Sequence, residues 1–274
     1  MPVTFHKMHG LGNDFVLLDL RNQVFQIDAG VASKLADRRT GVGCDQVLVL
    51  REPDDERQAA SFEVWNSDGS RAEQCGNGVR CIGLYLRKQT PSNLKYLLGG
   101  PVAEIEIQCL DQEQVRVNMG SPVFEAKQVP IDLDAVDDRY SLEINAKTHQ
   151  IGAVSIGNPH ALMLVDNLEN LDIDSLGAAI SRHNAFPEGC NAGFATIIDR
   201  HNISLRVYER GAAETLACGS GACAAMSILR RAGLVDKTVN VTQAGGFLII
   251  EWTGGDDPVF MTGPATHVFE GILI

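Results

Sequence analysis

The chain has 274 residues, 45% of them hydrophobic and 21% charged, with a formal net charge of −12. That length suits about two domains with cores of their own, and the acidic balance without a basic run argues against nucleic acid as a partner. No apolar run approaches about 18 residues, so no membrane span is expected, and the opening MPVTFHKMHG lacks the apolar stretch of a signal peptide, which leaves the cytoplasm as the expected location.

In chain order, FVLLDL (15–20) reads as a strand, and DAGVASKLADR (28–38) as a helix capped by Asp28 with Val31, Ala32 and Leu35 at helical spacing. DQVLVLR (45–51) and SFEVWN (61–66) read as strands, and GNGVRCIGLYLRKQ (76–89) as a helix with Val79, Ile82, Gly83 and Leu86 on one face. PVAEIEIQCL (101–110) and EQVRVN (113–118) alternate at period two, as a hairpin does. Gly and Pro then break the pattern in MGSPVFEAKQVP (119–130), which sets a domain boundary between 119 and 120. Beyond it, HALMLVD (160–166), AGFATIID (192–199) and ISLRVYE (203–209) read as strands, and DIDSLGAAISRH (172–183) as a helix capped by Asp172. GSGACAAMSILRRAG (219–233) reads as a helix stopped by Gly233, and KTVNVT, GFLIIEW and VFMTG as closing strands.

Five features recur in order at a nearly fixed offset of 143 to 145 positions. GND at 12–14 meets GNP at 157–159, Asp28 meets Asp172, Gln46 meets Asn191, Asn66 meets Glu209, and Cys75 meets Cys218. The pattern is that of an internal duplication. It predicts two pseudo-symmetric α/β halves whose polar residues share a cleft.

Seven cysteines, an odd count, argue against a disulfide framework. Most are expected to be small core residues, Cys81 and Cys223 among them. Cys75 and Cys218 differ because each directly precedes a glycine-rich helix start, CGNG and CGSG. Unpaired N–H groups and the helix dipole there favour an anion, and are expected to lower a thiol to a pKa of about 7–8. One such thiol can take a proton while its partner gives one, as inversion of a tetrahedral carbon requires. The glycines allow backbone N–H groups to approach a carboxylate. Zinc fits poorly, because the spacings C-x5-C and C-x4-C depart from zinc pairs, so no metal is expected. GNGVRC matches neither dinucleotide nor phosphate loops. A thiol redox switch or a non-catalytic metal-binding module stays open.

Together HGLGNDFV, GVGCDQVL, NSDGSRAEQCGNGVRC, GNPHALMLV, NAGF, YERGAAETLACGSGACA and MTGPATHVFEG resemble diaminopimelate epimerase. The resemblance implies a cofactor-independent isomerase interconverting LL- and meso-diaminopimelate in lysine and peptidoglycan biosynthesis. The implied fold is two similar α/β domains, each wrapping a mostly antiparallel or mixed sheet around a central helix. The C-terminal strand, 265–274, would return to the first domain, leaving 120–264 as the second. Cys75 and Cys218 match the acid–base thiols, with His160 and Glu209 assisting. Asn13, Gln46, Asn66, Gly76, Asn77, Asn158, Asn191, Glu209, Arg210, Gly219 and Ser220 match substrate-binding positions. A homodimer with Phe269 at its interface is implied, Phe standing where the family often has Tyr. Ala213 replaces the usual Gly of ERGAGET, and is strained by about 1 kcal/mol or more if that position needs positive φ. LLGG (97–100) departs from the usual Thr-bearing turn. A proline or hydroxyproline racemase is the alternative with the same chemistry.

Overall fold

The computed structural model describes residues 2–72, 75–111, 113–135 and 138–273. Glu73 and Gln74 of the first cysteine motif, and Met1 and Ile274 at the ends of the first expected domain, lie outside the described residues. The chain divides into two compact units, Met1–Asn118 with Thr262–Ile274, and Met119–Met261.

The first unit contains β1 (Val3–Gly10), β2 (Asn13–Asp19), α1 (Ala29–Ala36), β3 (Gln46–Arg51), β4 (Ala60–Asn66), α2 (Gly76–Gln89), β5 (Lys95–Gly99), β6 (Glu104–Cys109) and β7 (Gln114–Asn118). Neighbouring strands pair antiparallel at β1–β2, parallel at β2–β3 across α1, antiparallel at β3–β4, parallel at β4–β5 across α2, and antiparallel at β5–β6 and β6–β7. The alternation of direction follows from the connections, since a parallel pair needs a long crossover, here a helix. α2 is buried from Gly76 through Leu86 rather than on a single face. A helix buried all round belongs inside a sheet that wraps it. A Cβ on Gly78 would stand 2.9 Å from Leu48, and one on Gly83 would stand 3.0 Å from Val115, so these glycines let strands approach the helix. Arg80 is fully buried in this helix and its Nε donates to Pro264 O at 3.2 Å.

The second unit contains β8 (Tyr140–Ile144), β9 (Lys147–Ser155), β10 (Pro159–Leu164), α3 (Ile173–Ser181), β11 (Asn191–Asp199), β12 (Asn202–Glu209), β13 (Ala213–Glu214), α4 (Gly219–Arg231), β14 (Thr238–Gln243) and β15 (Gly246–Glu251). After β16 (Phe260–Pro264), the last strand β17 (Thr266–Leu273) pairs antiparallel with β1 in the first unit. In the second unit the order is antiparallel at β8–β9 and β9–β10, parallel at β10–β11 across α3, antiparallel at β11–β12, parallel at β12–β14 across α4, and antiparallel at β14–β15. Strand for strand this repeats β17–β1–β2–β3–β4–β5–β6, with α3 for α1 and α4 for α2. Both units are therefore mixed sheets around a helix, the architecture expected of a duplication.

The register repeats as well. Phe15 stands opposite Gln46 and His160 opposite Asn191, each pair 145 positions from its counterpart. Asp28 and Asp172 both cap their helices, accepting from Val31 N at 2.9 Å and Ser175 N at 3.0 Å. Gly12 and Gly157 both hold positive φ, 86° and 79°, in the turn before β2 and β10, a conformation that favours glycine.

The β8–β9 hairpin lacks the usual turn signal in its sequence. Its turn residues Asn145 and Ala146 both have positive φ, 52° and 59°. The usual signal is Asn-Gly, and Ala in the second place hides it.

Ala213 also has positive φ, 62°, so the strain expected of an alanine in the usual glycine position is present. Ala213→Gly is expected to raise stability by about 0.5–1 kcal/mol, since relief of a ~1–2 kcal/mol left-handed penalty outweighs the entropy glycine adds to the unfolded chain. A shift of the urea midpoint to higher concentration checks this; no shift, or a lower midpoint, counts against it.

Candidate active site

In the first unit the expected residues gather at one end of the sheet. Asn13 opens β2, Gln46 opens the parallel β3, Asn66 closes the antiparallel β4, and Cys75 is the N-cap of α2. Cys75 Sγ lies 3.8 Å from Asn13 Oδ1, which also accepts from Asn77 Nδ2 at 3.2 Å. Asn13 Nδ2 donates to Asp45 Oδ2 at 2.9 Å, so the carbonyl end of that amide is the end turned to the thiol. Gln46 Nε2 donates to Asn66 Oδ1 at 2.9 Å across β3–β4, and Asn66 Nδ2 to Ser70 Oγ at 3.0 Å. Gly76 is the first residue of α2.

The second unit repeats the arrangement with other side chains. Asn158 precedes β10, Asn191 opens β11, Glu209 closes β12, and Cys218 is the N-cap of α4. His160 is buried, with Nε2 2.9 Å from Asn158 Oδ1 and 3.5 Å from Asn191 Nδ2. Asn191 Oδ1 accepts from Arg210 N at 2.9 Å, and the Arg210 guanidinium donates to Glu188 O at 2.9 Å. Thr215 Oγ1 donates to Glu209 Oε1 at 2.5 Å, holding the carboxylate. Cys218 Sγ accepts from Gly221 N at 3.4 Å and lies 3.6 Å from Ser220 Oγ, while Cys218 N donates to Gln243 Oε1 at 2.8 Å. Gly219 opens α4.

The electrostatics of Cys218 reverse the expectation for a helix N-terminus. Burial first, and the Glu209 carboxylate next, push this thiol well above its ordinary value, against the lowering by Ser220 and the Gly221 N–H. A dipole contributes only about 0.3–2 kcal/mol, which full desolvation of a thiolate exceeds. Glu209 also takes a hydrogen bond from the thiol, so at neutral pH Cys218 is a proton donor. Burial, with the Arg210 charge beside it, lowers His160 to about 3, so its imidazole is neutral. Cys44, Cys81, Cys109 and Cys190 are buried with raised values, and Cys223 is fully buried, as core residues should be.

Asp45, Thr215 and Gln243 were not picked out from sequence. Each holds a site residue through a single hydrogen bond, and a lone polar residue on a strand or turn carries no pattern that signals this.

Cys75 is partly exposed whereas Cys218 is 3% exposed. In the ligand-free chain, iodoacetamide is therefore expected to label Cys75 before Cys218. Peptide mass mapping over a time course checks the order, and faster labelling of Cys218 would contradict the burial argument.

The diaminopimelate epimerase family model matches residues 5–125 and 152–268. A relative from Teredinibacter turnerae, named diaminopimelate epimerase, is 46% identical over 274 residues, covering 99% of each chain. One of the same name from Xanthomonas axonopodis pv. citri is 45% identical over 269 residues, 97% of this chain and 95% of its own. Among solved structures, a hydroxyproline epimerase from Agrobacterium vitis with bound trans-4-hydroxy-L-proline superposes with a TM-score of 0.72 at 16% identity, over 99% of this chain and 92% of that one. A phenazine biosynthesis protein from Bacillus anthracis gives 0.68 at 13% identity, over 100% and 99%. At such identities these two speak for the fold alone.

Proposed function

The chain belongs to the diaminopimelate epimerase family, and from that premise we propose that it interconverts LL- and meso-2,6-diaminopimelate with Cys75 and Cys218 as the two acid–base groups. The observation that carries this reading is the repeated placement of a cysteine at the N-cap of α2 and of its counterpart α4. One sulfur, as thiolate, takes the proton from the α-carbon, and the other, as thiol, returns a proton to the opposite side of the same carbon. The substrate keeps its atoms, and the two sulfurs exchange protonation states.

Removing that proton places charge on the adjacent carboxylate, where it is stabilised by donors already in place. The N–H groups opening α2 and α4, at Gly76, Asn77, Gly219 and Ser220, are suited to this task. Glu209 suits the ammonium at the reacting centre. Arg210 suits the distal carboxylate, which a guanidinium binds through two bonds. Asn13, Gln46, Asn66, Asn158 and Asn191 supply both donors and acceptors. Neutral His160, beside Asn158 and Asn191, keeps those amides oriented.

The reaction in this reading needs no pyridoxal phosphate and no metal. We place it in the cytoplasm, on the route to lysine and peptidoglycan; no helix among the described residues is long and apolar enough to cross a membrane. A homodimer is supported by the exposed apolar residues of β17, Val268, Phe269 and Ile272, at 53%, 47% and 61%.

The test is α-hydrogen exchange in D₂O. Deuterium is expected to enter the α-carbon of diaminopimelate as the isomer inverts, with neither added cofactor nor loss on treatment with a chelator. Exchange into proline or hydroxyproline, and none into diaminopimelate, would overturn the substrate assignment.

A further inference from the structure

We infer that His6, His267 and Glu270 form a binding site for one divalent transition-metal ion of the zinc class, on the paired terminal strands of the first unit. His6 Nδ1 lies 3.2 Å from His267 Nε2 and 3.7 Å from Glu270 Oε2, and the three donor atoms all fall within 4.8 Å of one another. Ligand atoms around a tetrahedral zinc with bonds of about 2.0–2.1 Å stand some 3.3–3.4 Å apart, and the two separations from His6 are close to this.

The strand geometry makes this a built feature. Residues three apart on a regular strand point to opposite faces, and His267 and Glu270 are three apart. A bulge alters the register between Lys7 and Met8, so that Glu270 stands opposite His6 and His267 opposite Met8. His6 and Met8 share a face, so the bulge brings both β17 donors onto it. Two imidazole nitrogens at 3.2 Å can share only one proton, and a cation can replace that proton while using both lone pairs.

Glu270 and Asp19 favour a cation near His6, and Lys88 opposes it. The Tyr85 ring packs on His6 with centroids 4.8 Å apart, and its hydroxyl donates to Asp19 at 3.0 Å. Glu270, 68% exposed, leaves solvent to supply the fourth ligand. The bound ion would tie the first strand to the last. No spacing motif can reveal such a site, because its ligands lie at opposite ends of the chain.

The experiment is a cobalt(II) titration of the untagged full chain, followed by displacement with zinc(II). One equivalent is expected to give visible d–d bands without the near-ultraviolet thiolate charge transfer that cysteine ligation produces. His6→Gln and His267→Gln are each expected to weaken binding by at least about tenfold, and to abolish the rise in melting temperature that the ion gives the natural chain. Glu270→Gln, a surface change that does not threaten folding, is expected to weaken binding too, and decides the matter if a histidine variant is unstable. Absence of a saturable band, bands of thiolate origin, or an affinity unmoved by these substitutions would overturn the assignment.

Discussion

Cys75→Ala and Cys218→Ala are each expected to cut the interconversion of diaminopimelate isomers by at least 10²–10⁴-fold, about 3–5 kcal/mol of transition-state stabilisation. The fall in kcat/KM is the same in both directions, because a catalyst leaves the equilibrium between the isomers unchanged. Alanine removes the proton-bearing atom while keeping the extended backbone of the cap, φ −141° at Cys75 and −114° at Cys218. Circular dichroism should accordingly match the natural chain. Progress curves by chiral chromatography from each pure isomer make the measurement. Full activity in either variant would remove that sulfur from the mechanism.

The second large effect is on stability in acid. His160 titrates at about 3 in the fold because it is buried and faces Arg210. In the unfolded chain an imidazole titrates near 6.5. Between those values the unfolded chain binds the extra proton, so stability is full above about pH 6.5 and falls as pH drops through the window to about 3. The slope approaches about 1.4 kcal/mol per pH unit, giving a loss of about 2 kcal/mol at pH 5. His6 and His267, also lowered by burial, add loss of the same sign. Asp14 and Asp19 are held below the carboxylate range by Arg38 and Lys7, and by Arg21, against the opposing pull of burial. Their stabilisation is present above about pH 4 and lost only below it. The window from 5 to 6.5 therefore isolates the histidines. Trp65 and Trp252 give each unit its own fluorophore, so urea unfolding of the second unit is readable in a Trp65→Phe background. The midpoint should fall on going from pH 7.5 to pH 5, and His160→Gln should remove most of that fall. An equal fall in the variant would mean that His160 is not its source.

The thiols show how a local rule meets a global one. A helix N-terminus favours a thiolate wherever water reaches it. Cys218 has the N-terminus, with a Gly221 N–H on its sulfur, yet is held as a thiol because it is buried and Glu209 lies beside it. Helix position is written in a few adjacent residues, whereas burial depends on strands from elsewhere in the chain.

The sequence by itself determined the duplication, the caps at Asp28 and Asp172, the helix-opening cysteines and most of the polar residues around them. The caps and helix openings are short-range signals, and the duplication is the same order of such signals met twice. Tertiary structure decided that α2 is enclosed on every side, that Arg80 is buried against the returning chain, and that Asp45, Thr215 and Gln243 hold site residues. It also decided that the β17 bulge turns His267 toward His6. These depend on pairing across long separations and on what water can reach, and both are set only when distant segments pack.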